Sequence, residues 1–285
     1  MSHEQAQVEM TNEEYHKLPG VSKSKLDVLI EDPREYEYQF LSGEYIQKPK
    51  SEFDIGSAVH GICLEGVDRV AVIPASVLAK KDGKESAYGA KSGGAWKEWS
   101  EANKDKLQLK AHEYDLVMRC VDSVMAHPMA SALIKSPGKS EAYYRTELSD
   151  LGLIARCKLD RIVTYAEKTV VVDLKTTSCT LAKKFVKSID EFGYDRQEAF
   201  YRMVLERNDI YVDEFIFIAV KTDAPYCVDC YTIRPDWVME ARQEVVDALK
   251  DLARRTIEND WKPAAYNGVR ELAPPNYRRY RGEYK

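Results

Sequence analysis

The segment KLDRIVTYAEKTVVVDLKTT, residues 158–177, constrains the fold more than any other stretch of the chain. Two aliphatic, β-branched runs separated by a short polar break read as neighbouring strands of a sheet. Each carries a carboxylate that packing does not need, Asp160 and Asp173, and the second run adds Lys175. Side chains alternate along a strand, so Asp173 and Lys175 share one face while Val172 and Leu174 share the other. Lys158 and Asp160 share a face by the same rule, and 173 − 160 = 13 residues leave room for a tight return. Neighbouring strands would bring both carboxylates to one point. There they repel unless a proton or a cation intervenes. Hard oxygen ligands of this kind suit Mg²⁺ or Mn²⁺, completed by water and a substrate phosphate. A lysine beside them can orient or activate the attacking water, or stabilise charge developing on phosphate. The plain alternative is an ion pair at a strand end; the second aspartate on the preceding strand favours the chemical reading.

The rest of the chain supplies what such a sheet needs. Residues 12–42 read as two helical pieces, the segment SKSKLDVLIED opening on a Ser cap and stopping at Asp32-Pro33. FDIGSAVHGICLE, residues 53–65, places Phe53, Ser57, His60 and Leu64 along one helical face. KKDGKESAYGAKSGG, residues 80–94, is the strongest loop signal. Its Lys80, Lys81, Lys84 and Lys91 could grip phosphates, although a charged loop is more often simply solvated. Helices follow at about 95–106 and 111–126. From residue 141 the period changes to that of a hairpin turning at SDLG, residues 149–152. The strand 168–177, a helix at about 195–208, strands at 214–221 and 226–234, and a long helix from Pro235 to about residue 260 complete the chain. This order specifies an α/β fold, a central mixed β-sheet flanked by helices.

Composition narrows the setting. With 44% apolar and 31% charged residues the chain is ordinary globular material, and no apolar run reaches the ~18 residues of a membrane span. MSHEQAQVEM has neither the basic region nor the apolar core of a signal peptide. The six scattered cysteines then read as reduced thiols of a cytoplasmic protein. A formal charge of −5 argues against a protein that merely coats nucleic acid through global basicity, but not against a local basic channel. Residues 270–285 hold Arg270, Arg278, Arg279, Arg281 and Lys285. They read as a solvated tail whose Tyr277, Tyr280 and Tyr284 would suit base stacking.

Four ordered motifs now coincide. GSAVHGICLEG at 56–66, CKLDRIV at 157–163, VVDLKTT at 171–177 and YDRQEAFYR at 194–202 resemble, in this order, those of the PD-(D/E)XK nuclease superfamily. Within it, they are most like the RecB-like exonucleases and the nuclease domain of RecE, exonuclease eight, with its phage relatives. The flanking segments SKSKLDVLIEDPREYEYQF and NDWKPAAYNG are similar too, so the likeness runs over roughly residues 12–270. The resemblance implies a restriction-endonuclease-like core. Residues 12–269 would be one exonuclease domain, helical over about 12–135 with the catalytic sheet at about 140–262. Residues 1–11 would be a flexible N-terminus and 270–285 a tail.

Carried over residue by residue, the resemblance implies that Asp160, Asp173 and the backbone carbonyl of Leu174 bind metal. His60 would complete the site, and Lys175 would be the catalytic lysine. Gln197 and Tyr201, four apart on one helical face, would hold DNA or the lysine near the site. Glu141, at the start of the hairpin, would act through the metal's water shell; its plain alternative is an exposed carboxylate at a strand start. Some RecB-like relatives carry an iron–sulfur cluster on one early and three late cysteines. This chain has only Cys227 and Cys230 in a late C-x-x-C, so no cluster is expected.

The function implied is a Mg²⁺-dependent (or Mn²⁺-dependent) 5′→3′ exodeoxyribonuclease that resects one strand of duplex DNA with free ends. It would serve recombination and repair by strand annealing, with a RecT-like single-strand annealing protein as partner and a homo-oligomeric ring as assembly. The rivals are a structure-specific or single-strand endonuclease on the same core, and a non-catalytic DNA-binding module.

Overall fold

A computed structural model describes residues 15, 18–46, 55–80, 84–263, 269 and 271. The expected N-terminus, Phe53, Lys81 and the basic Tyr-rich tail with Tyr277, Tyr280 and Tyr284 lie outside the described residues. In chain order the described elements are α1 (Lys23–Glu31), α2 (Pro33–Phe40), α3 (Ile55–Glu65), β1 (Val70–Ile73), α4 (Gly94–Ala102) and β2 (Leu107–Lys110). They continue with α5 (Ala111–Ala126), α6 (Pro128–Lys135), β3 (Gly138–Leu148), β4 (Leu153–Tyr165), β5 (Lys168–Thr177) and α7 (Ala182–Phe192). The last are α8 (Tyr194–Glu206), β6 (Glu214–Lys221), β7 (Val228–Tyr231) and α9 (Pro235–Glu258).

The central sheet is mixed and five-stranded in the order β3-β4-β5-β6-β7. β3, β4 and β5 run antiparallel, β6 lies parallel to β5, and β7 returns antiparallel. A parallel β5–β6 pair needs a crossover, which α7 and α8 provide. β5 and β6 are buried on both faces because the residues alternate between two cores. Val171, Phe215 and Phe217 face a layer built from α1, α2, α7, α8 and α9. Val170, Val172, Leu174, Ile216 and Ile218 face a second layer of α3, α5 and α6. Full burial of a side chain such as Phe217 is worth about 2–3 kcal/mol. Asp173 and Lys175 sit in phase with Val171, so they emerge on the α8 side.

Several elements depart from the sequence expectation, each for a local reason. Residues 107–110, left between the two expected helices, form strand β2, paired in parallel with β1 from Val70↔Leu107 to Ile73↔Lys110. Four-residue apolar runs are too short for periodicity to decide. α6 and α7 were not anticipated. α6 is opened by Pro128 at its first turn, with His127 Nδ1 accepting from Ala130 N at 3.2 Å. α7 stops at Gly193, whose left-handed φ of 60° also starts α8. β3 begins at Gly138, so Glu141 lies inside the strand rather than at its start. Ser22 is the N-cap of α1 but makes no side-chain cap bond; its hydroxyl pairs with Ser24 at 3.1 Å. Asp32 does cap: it ends α1 and accepts from Arg34 N at 2.9 Å to start α2. The two flanking segments meet where Tyr36 stacks on Trp261 at 5.5 Å. Among the described residues no helix is long and apolar enough to cross a membrane.

Candidate active site

The site forms where the strand ladders break. β4 and β5 pair regularly only as far as Arg161↔Val172, one step short of Asp160 and Asp173. Just past that end, the backbone N–H of Leu174 donates to Asp160 Oδ2 at 2.8 Å. The β3–β4 ladder skips Glu141 and Asp160 between Ser140↔Arg161 and Ala142↔Leu159. Glu141 takes a φ of 52°, a left-handed conformation that costs a non-glycine residue about 1–2 kcal/mol. β4 changes sides here. Ala155, Cys157 and Leu159 pack in the first core, while Val163, still odd-numbered, packs in the second. The kink turns two acidic side chains toward a cleft that a regular ladder would leave edge-on.

α3 supplies the third group. His60 Nε2 lies 2.9 Å from Asp160 Oδ1, and its Nδ1 lies 3.4 Å from Glu141 Oε1. Burial would lower the imidazole's pKa, but the carboxylates of Asp160, Glu141 and Asp173 outweigh it and push the pKa up to about 9. For Asp160, burial opposes ionisation, but His60, Lys175 and the Leu174 N–H outweigh it and hold its pKa below the usual range. Lys158 Nζ donates to Glu141 Oε2.

Asp173 is 1% exposed and does not join that group directly. Its Oδ1 lies 2.6 Å from Lys175 Nζ, and its Oδ2 accepts from Gln197 Nε2. Gln197 Oε1 in turn accepts from Lys175 Nζ at 3.0 Å. Burial, then the nearby Asp160 charge, raises the Asp173 pKa to about 6. Burial works against the Lys175 cation, but Asp173 and Asp160 more than offset it. The Lys175 ammonium also sits 4.7 Å from the centroid of the Tyr194 ring.

These groups wall a cleft of about 690 Å³, which Glu141, Asp160, Lys158, Leu174 and Lys175 line on the sheet side and Gly56, Ser57, His60 and Gly61 on the α3 side. Donor chemistry decides whether a divalent cation fits. His60, Glu141 and Asp160 each offer one ligand atom, all within 4.8 Å of one another. One imidazole nitrogen with carboxylate oxygens is a mixed set that accepts Mn²⁺ as well as Mg²⁺. The His60 ring already bridges the two carboxylates, with Nε2 on Asp160 and Nδ1 toward Glu141.

The structure therefore brings together His60, Asp160, Lys175 and Gln197, which the sequence singled out. Glu141, expected to act through the metal's water shell, stands beside His60 and Asp160 in the three-residue group. The oxygens of Asp173, expected as a ligand, meet Lys175 and Gln197. Leu174 lines the cleft. Tyr201 packs against the first core with its ring tilted on Phe215 at 6.4 Å, and burial, with Asp173 and Asp160 nearby, lifts its hydroxyl pKa well above the ordinary value. Lys158 and Tyr194 received no role from the sequence. The strand period pointed to Lys158, in phase with Asp160, and the three-residue step from Gln197 on α8 pointed to Tyr194.

The profile of a family described as a PDDEXK-like domain of unknown function (DUF3799) matches residues 22–266. The chain belongs to that family. The DUF3799 match spans the kinked hairpin, His60 on α3 and the Lys175–Gln197 contact alike. A crystal structure from Eubacterium rectale, of a protein provisionally named an exonuclease, superposes with a TM-score of 0.59 at 14% identity. It covers 96% of this chain and 98% of its own. At that identity the likeness speaks for the fold. A second structure, SSO0001, is 10% identical over 78% of this chain and 84% of its own, with a TM-score of 0.28 that carries no argument. No curated protein matches the sequence.

Proposed function

We propose that this PDDEXK-like domain is a divalent-metal-dependent deoxyribonuclease. The observation that carries the reading is the convergence of His60, Glu141 and Asp160 within 4.8 Å, in a cleft that Lys175 also lines. A divalent cation held by these three, with the Leu174 carbonyl as a further ligand, would lower the pKa of a bound water and offset charge on the scissile phosphate. Lys175 presents its ammonium to the same cleft. Asp173 and Gln197 fix that ammonium from behind and Tyr194 from below, so a donor cation meets the phosphate without first being ordered. Asp173 and Gln197 act through Lys175 and are positioning residues in this state.

The finer reading is a RecE-like 5′→3′ exonuclease that resects one strand of duplex DNA and hands the exposed strand to a RecT-like annealing partner, with subunits assembled in a ring. It is supported by the four motifs that resemble RecE and by the provisional exonuclease name of the Eubacterium rectale protein. The test uses linear duplex DNA labelled at the 5′ or the 3′ end, beside closed circles. Mononucleotides released first from the 5′ label, with circles intact, are expected. Nicked or linearised circles would assign the endonuclease alternative instead.

A further inference from the structure

The cleft has a second, basic end. Past Glu65 on α3 it is bounded by Arg69 and by the turn Lys104–Asp105–Lys106 that leads into β2. This turn is fixed. Lys106 N donates to Asn103 O at 3.1 Å, and Leu107, the next residue, opens the parallel ladder against Val70. Leu107 also packs beside Gly61, where an added Cβ would lie 3.5 Å from its methyl group. Lys106 is thus one residue from a contact with the neighbour of His60.

Among the described residues Lys106 has no ion-pair partner. Lys104 pairs with Glu101 at 2.8 Å, but the two side chains are 64% and 74% exposed, so the pair is easily exchanged for another anion. One end of the cleft therefore gathers carboxylates around a cation site; at the other, beside Asp105 and with Arg69 already held by Glu65 at 3.0 Å, Lys104 and Lys106 offer charge to a ligand. A polyanion with regularly spaced phosphates satisfies both ends at once.

We propose that Lys106, assisted by Lys104, binds a non-scissile phosphate of the DNA strand near the phosphate at His60, Glu141 and Asp160, and so sets the strand's register in the cleft. This subsite rests on the nuclease reading. The phosphate contact adds affinity without sequence information and leaves the reacting centre untouched.

The experiment measures binding of a fluorescein-labelled duplex by anisotropy in EDTA over a range of KCl, for wild type, Lys106→Ala and Lys106→Arg. Steady-state cleavage is measured beside it. Lys106→Ala should flatten the slope of log K against log salt by about 0.9, weaken binding about three- to tenfold and raise KM with kcat unchanged. Lys106→Arg should restore the slope, which separates lost charge from lost folding. Single methylphosphonates scanned along the strand on either side of the cleaved bond should include one that weakens the wild type and leaves Lys106→Ala unaffected. A wild type that cuts DNA, with Lys106→Ala matching it in slope, KM and methylphosphonate response, overturns the subsite alone. A wild type that neither binds nor cuts DNA overturns the nuclease reading and the subsite with it.

Discussion

Glu198 should make the protein less stable at high pH, and Glu198→Gln should remove that loss. The residue follows Gln197 on α8 but turns away from the cleft, with its side chain only 4% exposed. Oε1 accepts from Arg202 Nε at 2.8 Å, while Oε2 is buried without a hydrogen-bond partner. Burial pushes the carboxyl up from 4.5 to about 7, against the pull of Arg202. A folded-state value above the unfolded one means that the native form holds the extra proton. The associated stability is full below about pH 4.5 and is lost as pH rises through about 7. The rise from 4.5 to about 7 corresponds to about 3 kcal/mol. Glutamine keeps the acceptor for Arg202 and never ionises, at a cost of about 1 kcal/mol for the charge-assisted part of that bond. The variant should therefore be about 2 kcal/mol more stable than wild type at pH 8.5. At pH 5 the advantage should vanish. Urea midpoints at the two pH values, at constant m, measure this. A gap that does not change with pH, or a variant less stable at pH 8.5, would refute the assignment of a strained buried carboxylate.

The remaining predictions concern the cleft and its frame. His60→Ala removes the only nitrogen from the ligand cluster and should weaken Mn²⁺ binding by at least about tenfold, and Mg²⁺ binding less, by calorimetry. Gln197→Ala should lower kcat by about 10- to 100-fold with little change in KM, because the side chain orients Lys175 and Asp173 without lining the cleft. Gly193→Ala should cost about 1–2 kcal/mol in urea unfolding. It forces a side chain into a left-handed φ of 60° and sets its Cβ 2.5 Å from the Arg196 guanidinium.

The heart of the site was legible in the sequence because strand and helix periods act over short distances. The two-residue step placed Asp173 with Lys175, and the four ordered motifs marked His60 and Gln197. The placement of Glu141 beside His60 was not, because it depends on a left-handed residue that no propensity signals in an ordinary glutamate, and on a skipped ladder pair opposite Asp160. Nor was the contact of Asp173 with Gln197, because alternation gives a face but not the partner that a carboxylate finds there; Gln197 reaches it from 24 residues away. The β1–β2 pair escaped because two four-residue strands, 37 residues apart at Val70↔Leu107, carry almost no local pattern. That pair holds Lys106 beside the cleft, so the substrate-facing lysines were hidden for the same reason.

The most direct test of the central claim is cleavage of linear duplex DNA with and without Mg²⁺ or Mn²⁺, by wild type, Asp160→Asn and Lys175→Ala. Metal-dependent cleavage by the wild type is predicted, stopped by EDTA and reduced at least about 10²- to 10³-fold in both variants while their folded signals persist. Cleavage that survives EDTA or either substitution, or no cleavage by the wild type with either metal, would contradict it.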